Sequence, residues 1–154
     1  MKKKTMQTIF FALFIAGIIV GYLLPGDFRD LSRMPLQSDV FDVPKRLGQL
    51  DVENEYLKYS LLAETDTGSV ILARFDGIMP LHMHPKENHF IYIFKGRAKG
   101  TVGDVTAEVG AGQLVAIPAG VPHSFERIGD TPVEVILFST PSFVPADIVW
   151  LEKK

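Results

Sequence analysis

Between positions 56 and 139 turn signals return roughly every 8–12 residues, and no stretch between them carries a helical period. Glu64-Thr65-Asp66-Thr67-Gly68, Lys95-Gly96 and Gly103-Asp104 punctuate segments rich in β-branched and aromatic residues. The spacing predicts strands at 56–63, 69–75, 89–94, 97–102, 105–109, 114–117, 123–127 and 133–139, with a tight hairpin at Gly103-Asp104. Short strands in that rhythm make an all-β fold, a small antiparallel sandwich or barrel.

The rest of the chain is organised around that domain. From Thr5 to Leu24 there are 20 residues without a charge, and 14 of the 16 from Ile9 to Leu24 are apolar. As a helix they would reach about 30 Å, the thickness of a bilayer core. Lys2, Lys3 and Lys4 precede the run, so the positive-inside rule keeps the N-terminus cytoplasmic and the following domain outside. Tyr22 stands at the far interface, and Pro25-Gly26 ends the helix. No small-x-small cleavage site follows, which favours an uncleaved single-pass anchor. The alternative is a signal peptide and a secreted or periplasmic product. The expected organisation is therefore a leader at 1–25, a tether at 26–49 with an extended piece at 40–43, a barrel at 50–145 and a tail at 146–154. That tail contains the chain's one tryptophan, Trp150.

Charge and composition exclude several classes. With 16 Lys+Arg against 18 Asp+Glu, the chain has no basic excess for nucleic acid. The absence of cysteine removes disulfides, thiolate metal sites and cysteine nucleophiles.

All four histidines fall between positions 82 and 123. His82 and His84 are two residues apart, so on a strand both imidazoles leave the same face. His89 opens the next strand after the Pro85-Lys86-Glu87-Asn88 loop, and His123 follows the rigid Pro118-Ala119-Gly120-Val121-Pro122 turn. A closed sheet can bring all four together. One His-x-His alone is more often a pair of ordinary histidines than a metal site. Three imidazoles within eight residues are harder to explain on an apolar core strand, which gains nothing from them.

These residues resemble the two motifs of the cupin family. The first motif is a glycine, a His-x-His, a glutamate four or five residues on and a glycine seven residues later. Here Gly77, His82-Met83-His84, His89 and Gly96 fill the frame. The second is glycine, five residues, Pro-x-Gly, two residues, histidine, three residues and asparagine. Gly112, Pro118, Gly120 and His123 match it, with Arg127 in the last place. The resemblance covers positions 50–145 and implies a double-stranded β-helix of jelly-roll type, with one divalent transition metal held by His82, His84, His89 and His123. His89 stands where the family usually has a glutamate. Four neutral imidazoles would leave the metal its full +2 charge, which favours Fe, Ni, Cu or Zn without excluding Mn. Glu87 ranks second, as an outer partner orienting an imidazole. Arg127 shares the strand parity of His123 and is either an exposed arginine or an inward clamp for an anion.

Four ligands on an octahedral metal leave two open positions for substrate, water or dioxygen, whereas tetrahedral Zn would be closed. The resemblance thus implies a dioxygenase-type oxidoreductase on a small organic substrate, with Met79, Ile91, Ile93 and Phe125 as the apolar pocket wall. The other readings are a non-catalytic metal or metabolite-binding or sensing module, and a metal-dependent isomerase. Phe90, Tyr92 and Phe94 alternate with His89, Ile91 and Ile93, so they form an outward apolar stripe that predicts a homodimer.

Overall fold

The computed structural model describes residues 36, 38–50 and 57–152. The expected membrane helix lies outside these residues; among the described ones, no helix is long and apolar enough to cross a membrane. Ten strands follow a short helix. They are β1 (Leu57–Glu64), β2 (Ser69–Phe75), β3 (Ile78–Met83), β4 (Asn88–Lys95), β5 (Arg97–Val102), β6 (Val105–Gly110), β7 (Leu114–Ile117), β8 (His123–Arg127), β9 (Val133–Thr140) and β10 (Val149–Trp150). They form two antiparallel five-stranded sheets, in the orders β1-β2-β9-β4-β7 and β10-β3-β8-β5-β6.

Alternation along the strands builds the core. Ala73 and Phe75 of β2, Val133 and Val135 of β9, Ile93 of β4 and Ile117 of β7 face inward from the first sheet. Met79 of β3, Ala98 of β5 and Phe125 of β8 meet them from the second. This arrangement is the all-β antiparallel fold expected from the strand rhythm, in the jelly-roll form that the resemblance implied. The β5–β6 hairpin pairs Val102 directly with Val105, leaving Gly103-Asp104 as its two-residue turn. Gly103 has φ +54°, a conformation that glycine adopts at little cost. At the β4–β5 junction Gly96 has φ +83°, and a Cβ there would lie 2.6 Å from the Pro132 carbonyl oxygen. Only glycine lets the backbones of β4 and β9 approach so closely.

The tether departs from expectation. No strand forms at 40–43; the chain turns instead into helix α1 (Val43–Leu47). Asp42 caps it by accepting the Lys45 N–H at 3.0 Å, and Pro44 sits in its first turn, where a missing N–H costs nothing. This local capping outweighs the β-branched pair Val40 and Val43, and Val40 is left 94% exposed. Leu47 is completely buried, and α1 packs against β2.

The segment expected as a tail also contributes structure. After the 3-10 turn Pro145–Asp147, β10 pairs with β3, placing Val149 opposite Met83 and Trp150 opposite His82. The N–H of Leu151 then donates to the Leu81 carbonyl at 2.9 Å.

Candidate metal centre

The two sheets enclose a cavity of about 560 Å³. Its position follows from strand order. His82, near the end of β3, is the direct cross-strand partner of His123 at the start of β8. His84 follows β3 immediately, and its carbonyl accepts the Gly120 N–H at 2.8 Å, tying it to the turn before β8. His89 enters β4 opposite Ser139 of β9 and Ile117 of β7. All four imidazoles line the cavity, and each residue is between 2% and 7% exposed.

The rings are close neighbours. Centroids lie 4.2 Å apart for His82 and His123, 4.1 Å for His84 and His89, and 5.3 Å for His82 and His84. His82 Nδ1 is 2.7 Å from the Pro80 carbonyl oxygen, and His123 Nδ1 is 2.9 Å from that of Val121. A carbonyl only accepts, so both Nδ1 atoms carry the hydrogen, and in the neutral ring each Nε2 keeps its lone pair.

Burial is the main reason these rings stay neutral. It pushes His84 down to about 3, with His89 and His82 adding repulsion and Asp147 opposing. His123 is likewise depressed to about 3 by burial and then by His82, and His89 to about 4 by burial and then by His82. His82 is lowered by burial against the pull of its Pro80 hydrogen bond. At neutral pH the four therefore present lone pairs rather than charges.

Glu87 is 2% exposed and sits beside this group. Its Oε1 accepts the Val144 N–H at 2.7 Å. Its Oε2 lies 3.0 Å from His89 Nε2 and 3.3 Å from the Ser139 hydroxyl, which donates to it. Burial raises its carboxyl above the ordinary range, while the Val144 and Ser139 bonds work against that rise. His84 Nδ1 is 3.6 Å from the same Oε2, and this buried nitrogen has no hydrogen-bond partner. An orphaned buried nitrogen amid neutral imidazoles is the environment a transition metal fills.

Two sets of donors are compact enough for one ion: His82, His84 and His123, and His84, Glu87 and His89. Within each set the ligand atoms lie within 4.8 Å of one another, and His84 is common to both. The residues present therefore fit a metal held by nitrogen donors with a carboxylate at hand.

Met79, Ile91, Ile93 and Phe125 all line the cavity. Arg127 does not. It has the inward parity, but it ends β8 two residues beyond Phe125, where Asp76 in the β2–β3 turn claims it. Its Nε lies 2.6 Å from Asp76 Oδ1, an ionic contact whose angle is poor for a hydrogen bond, and its Nη1 donates to the Gly129 carbonyl. The guanidinium is thus paired outside the cavity and offers no anion clamp within it.

Sequence reasoning missed Ala73 and Phe75 of β2, Val135 and Leu137 of β9, and Leu57, Tyr59, Phe143, Ile148 and Trp150, which complete the wall. Leu57 and Tyr59 share the inward parity of β1, a signal present in the alternation. Phe143, Ile148 and Trp150 come from a segment with no strand period, and only the fold brings them in. Trp150 lies 5.0 Å from His82 between ring centroids, and Phe143 lies 6.1 Å from His84.

Comparisons with known proteins agree with this architecture. Residues 72–139 match the family model described as the cupin domain. An uncharacterized protein of Methanocaldococcus jannaschii is 33% identical over 72 residues, covering 47% of this chain and 58% of that protein. A Klebsiella pneumoniae protein with a double-stranded β-helix domain superposes with a TM-score of 0.64 at 20% identity, covering 79% of this chain and 99% of its own. The Streptomyces protein PAC13, solved with uridine, gives 0.57 at 13% identity over 75% of this chain and 92% of its own. At such identities the structures speak for the fold alone. Fold, paired histidine motifs and family match converge on a cupin domain at residues 72–139.

Proposed function

We propose that this protein is a metal-dependent cupin acting on a small organic molecule, with dioxygenase-type oxidation as its chemistry. The observation that carries the reading is the meeting of four buried, neutral imidazoles at one end of a cavity large enough for a substrate. His82, His84 and His123 would hold the metal, with His89 as the fourth ligand and Glu87 orienting it through their 3.0 Å contact. When bound, a redox-active divalent metal supplies the dioxygen chemistry at its open positions.

The chain's own residues do the rest. The Pro80 and Val121 carbonyls hold the His82 and His123 rings in the tautomer that directs Nε2 away from the backbone. The apolar wall excludes water from the reacting groups. Isomerisation would need a general base facing the substrate. Glu87, the one buried carboxylate beside the histidines, is held by Val144, Ser139 and His89 and does not line the cavity. This favours oxidation over proton shuffling.

The test is elemental analysis of the purified full chain with electron paramagnetic resonance of its metal. A redox-active metal whose spectrum changes with azide supports the enzyme. Stoichiometric zinc indifferent to added ligands would overturn it in favour of a structural or sensing module.

Two proposals concern its setting. The run 5–24 anchors the domain outside the cytoplasm; mass spectrometry of membrane-extracted protein should find the intact N-terminus, and a chain beginning near Asp27 would refute it. The outward face of β4 pairs with a second copy. Phe90 and its neighbour Phe138 on β9 are 40% and 43% exposed, and light scattering at micromolar concentration should report a dimer.

A further inference from the structure

The geometry points to a substrate whose body is an uncharged aromatic ring system, with its one polar group directed at the imidazoles. This rests on the metal-site reading for the polar group, but the ring specificity stands on the cavity itself. Apart from the four histidines, every described lining residue is apolar or aromatic, and the Tyr59 hydroxyl and the Trp150 indole N–H are the two further polar side-chain groups among them. No Lys, Arg, Asp or Glu is among the described lining residues.

The side-chain charges nearest the cavity have the wrong sign for an anion. Glu87 lies against His84 and His89. Asp147 stands close enough to influence both rings, its Oδ2 accepting the Lys86 N–H at 3.0 Å. The cation that strand parity offered, Arg127, is committed to Asp76. Without the metal, a phosphorylated or carboxylated substrate would therefore give up its hydration and meet two carboxylates and no cationic side chain; an anion's charge would have to be held by the metal alone. A sugar would leave its hydroxyls facing Ile91, Ile93, Val135 and Leu137.

The aromatic content is specific as well. Phe143 and Trp150 flank the imidazoles from the C-terminal segment, and Phe125 approaches His123 at 6.3 Å between ring centroids. Tyr59 packs edge-on to Phe143 at 5.6 Å, leaving ring edges and faces on several sides of the space. Aromatic walls gain from offset or edge-to-face contact with a planar ring beyond the area they bury. A cavity of about 560 Å³ falls in the range that takes drug-sized ligands, so one or two fused rings with substituents fit.

Trp150 is the chain's sole tryptophan, so its fluorescence reads occupancy of this cavity directly. The experiment titrates the full chain, stripped of metal by chelation, with nitrobenzene, 4-nitrobenzoate and 4-nitrophenyl phosphate. All three quench a neighbouring indole. Nitrobenzene should show saturable quenching with at least tenfold tighter binding than either anion, and Phe143→Ala should weaken it about fivefold. Equal or tighter binding of an anion would overturn the proposal, as would an absence of saturable quenching or indifference to both Phe143→Ala and Tyr59→Ala. A separate zinc titration of the stripped chain tests the metal reading. Nitrobenzene binding without zinc binding would sink that reading and leave the ring specificity standing; zinc binding with preference for the anions would do the reverse.

Discussion

Removing the metal and lowering the pH should unfold this domain in a window set by its histidines. In the unfolded chain an imidazole titrates near its ordinary value of about 6.5. In the fold His84 and His123 are held at about 3 and His89 at about 4. Above about pH 6.5 neither state binds these protons, and stability is at its full value. As pH falls further, the unfolded chain takes up three protons that the folded one refuses, and His82 acts in the same direction. Each histidine then costs about 1.4 kcal/mol per pH unit until its folded value is reached. At pH 5 the three together remove roughly 6 kcal/mol, an order-of-magnitude figure that rivals the whole stability of a typical domain. Glu87, whose carboxyl is raised by burial, has the opposite sign, because the fold takes its proton first. The assay is urea unfolding of chelator-treated protein, followed by Trp150 fluorescence from pH 7.5 to 5. The unfolding constant should rise by about three decades per pH unit once pH is well below 6.5, and His84→Gln should remove about one decade of that slope. A slope below one proton in the wild-type chain would refute the claim that these rings are buried and neutral.

Three other perturbations test the remaining structure. His89→Ala should weaken zinc binding by about 10- to 100-fold, with Glu87→Gln milder because it alters only an orienting contact; calorimetry reads both, and the reverse order would make Glu87 the direct ligand. Gly96→Ala should cost well over 2 kcal/mol, because a positive φ adds to a clash with the Pro132 and Val133 backbone. Gly112→Ala, with nothing within 4 Å of its Cβ, should cost only the ~1–2 kcal/mol of its φ of +87°, as denaturant midpoints would show. Leu47→Ala should cost about 2–3 kcal/mol, toward the low end of buried leucine truncations because five-residue α1 can undock rather than leave a cavity; an effect under about 0.5 kcal/mol would mean that α1 does not dock on β2 in solution.

What could be read along the chain was whatever is written in local period and turn chemistry. Alternation placed β1, β2 and β4 to β9, and the histidine spacing picked out four residues that do share one cavity. β3 was implied only by His82-x-His84, because Pro80 and the irregular pairing between Met79 and His82 break its pattern. Helix α1 was lost because the β-branched Val40 and Val43 masked the Asp42 cap and Pro44. Parity put Arg127 on the correct face, yet parity carries no information about Asp76 fifty-one positions earlier. The aromatic half of the cavity was illegible for the same reason. Trp150 and Phe143 owe their place to pairing with β3 and to the Val144 bond on Glu87, contacts between residues far apart in sequence.

That late segment also closes one side of the site. Residues 141–152 follow all four histidines in the chain, and the pairing of β10 with β3 covers one side of their chamber. Once Val144 bonds Glu87 and β10 closes over β3, the Lys86 N–H to Asp147 clasp secures the loop between His84 and His89. An ion entering or leaving past this segment would have to part those contacts, so metal exchange should track the opening of residues 141–152 rather than of the whole domain.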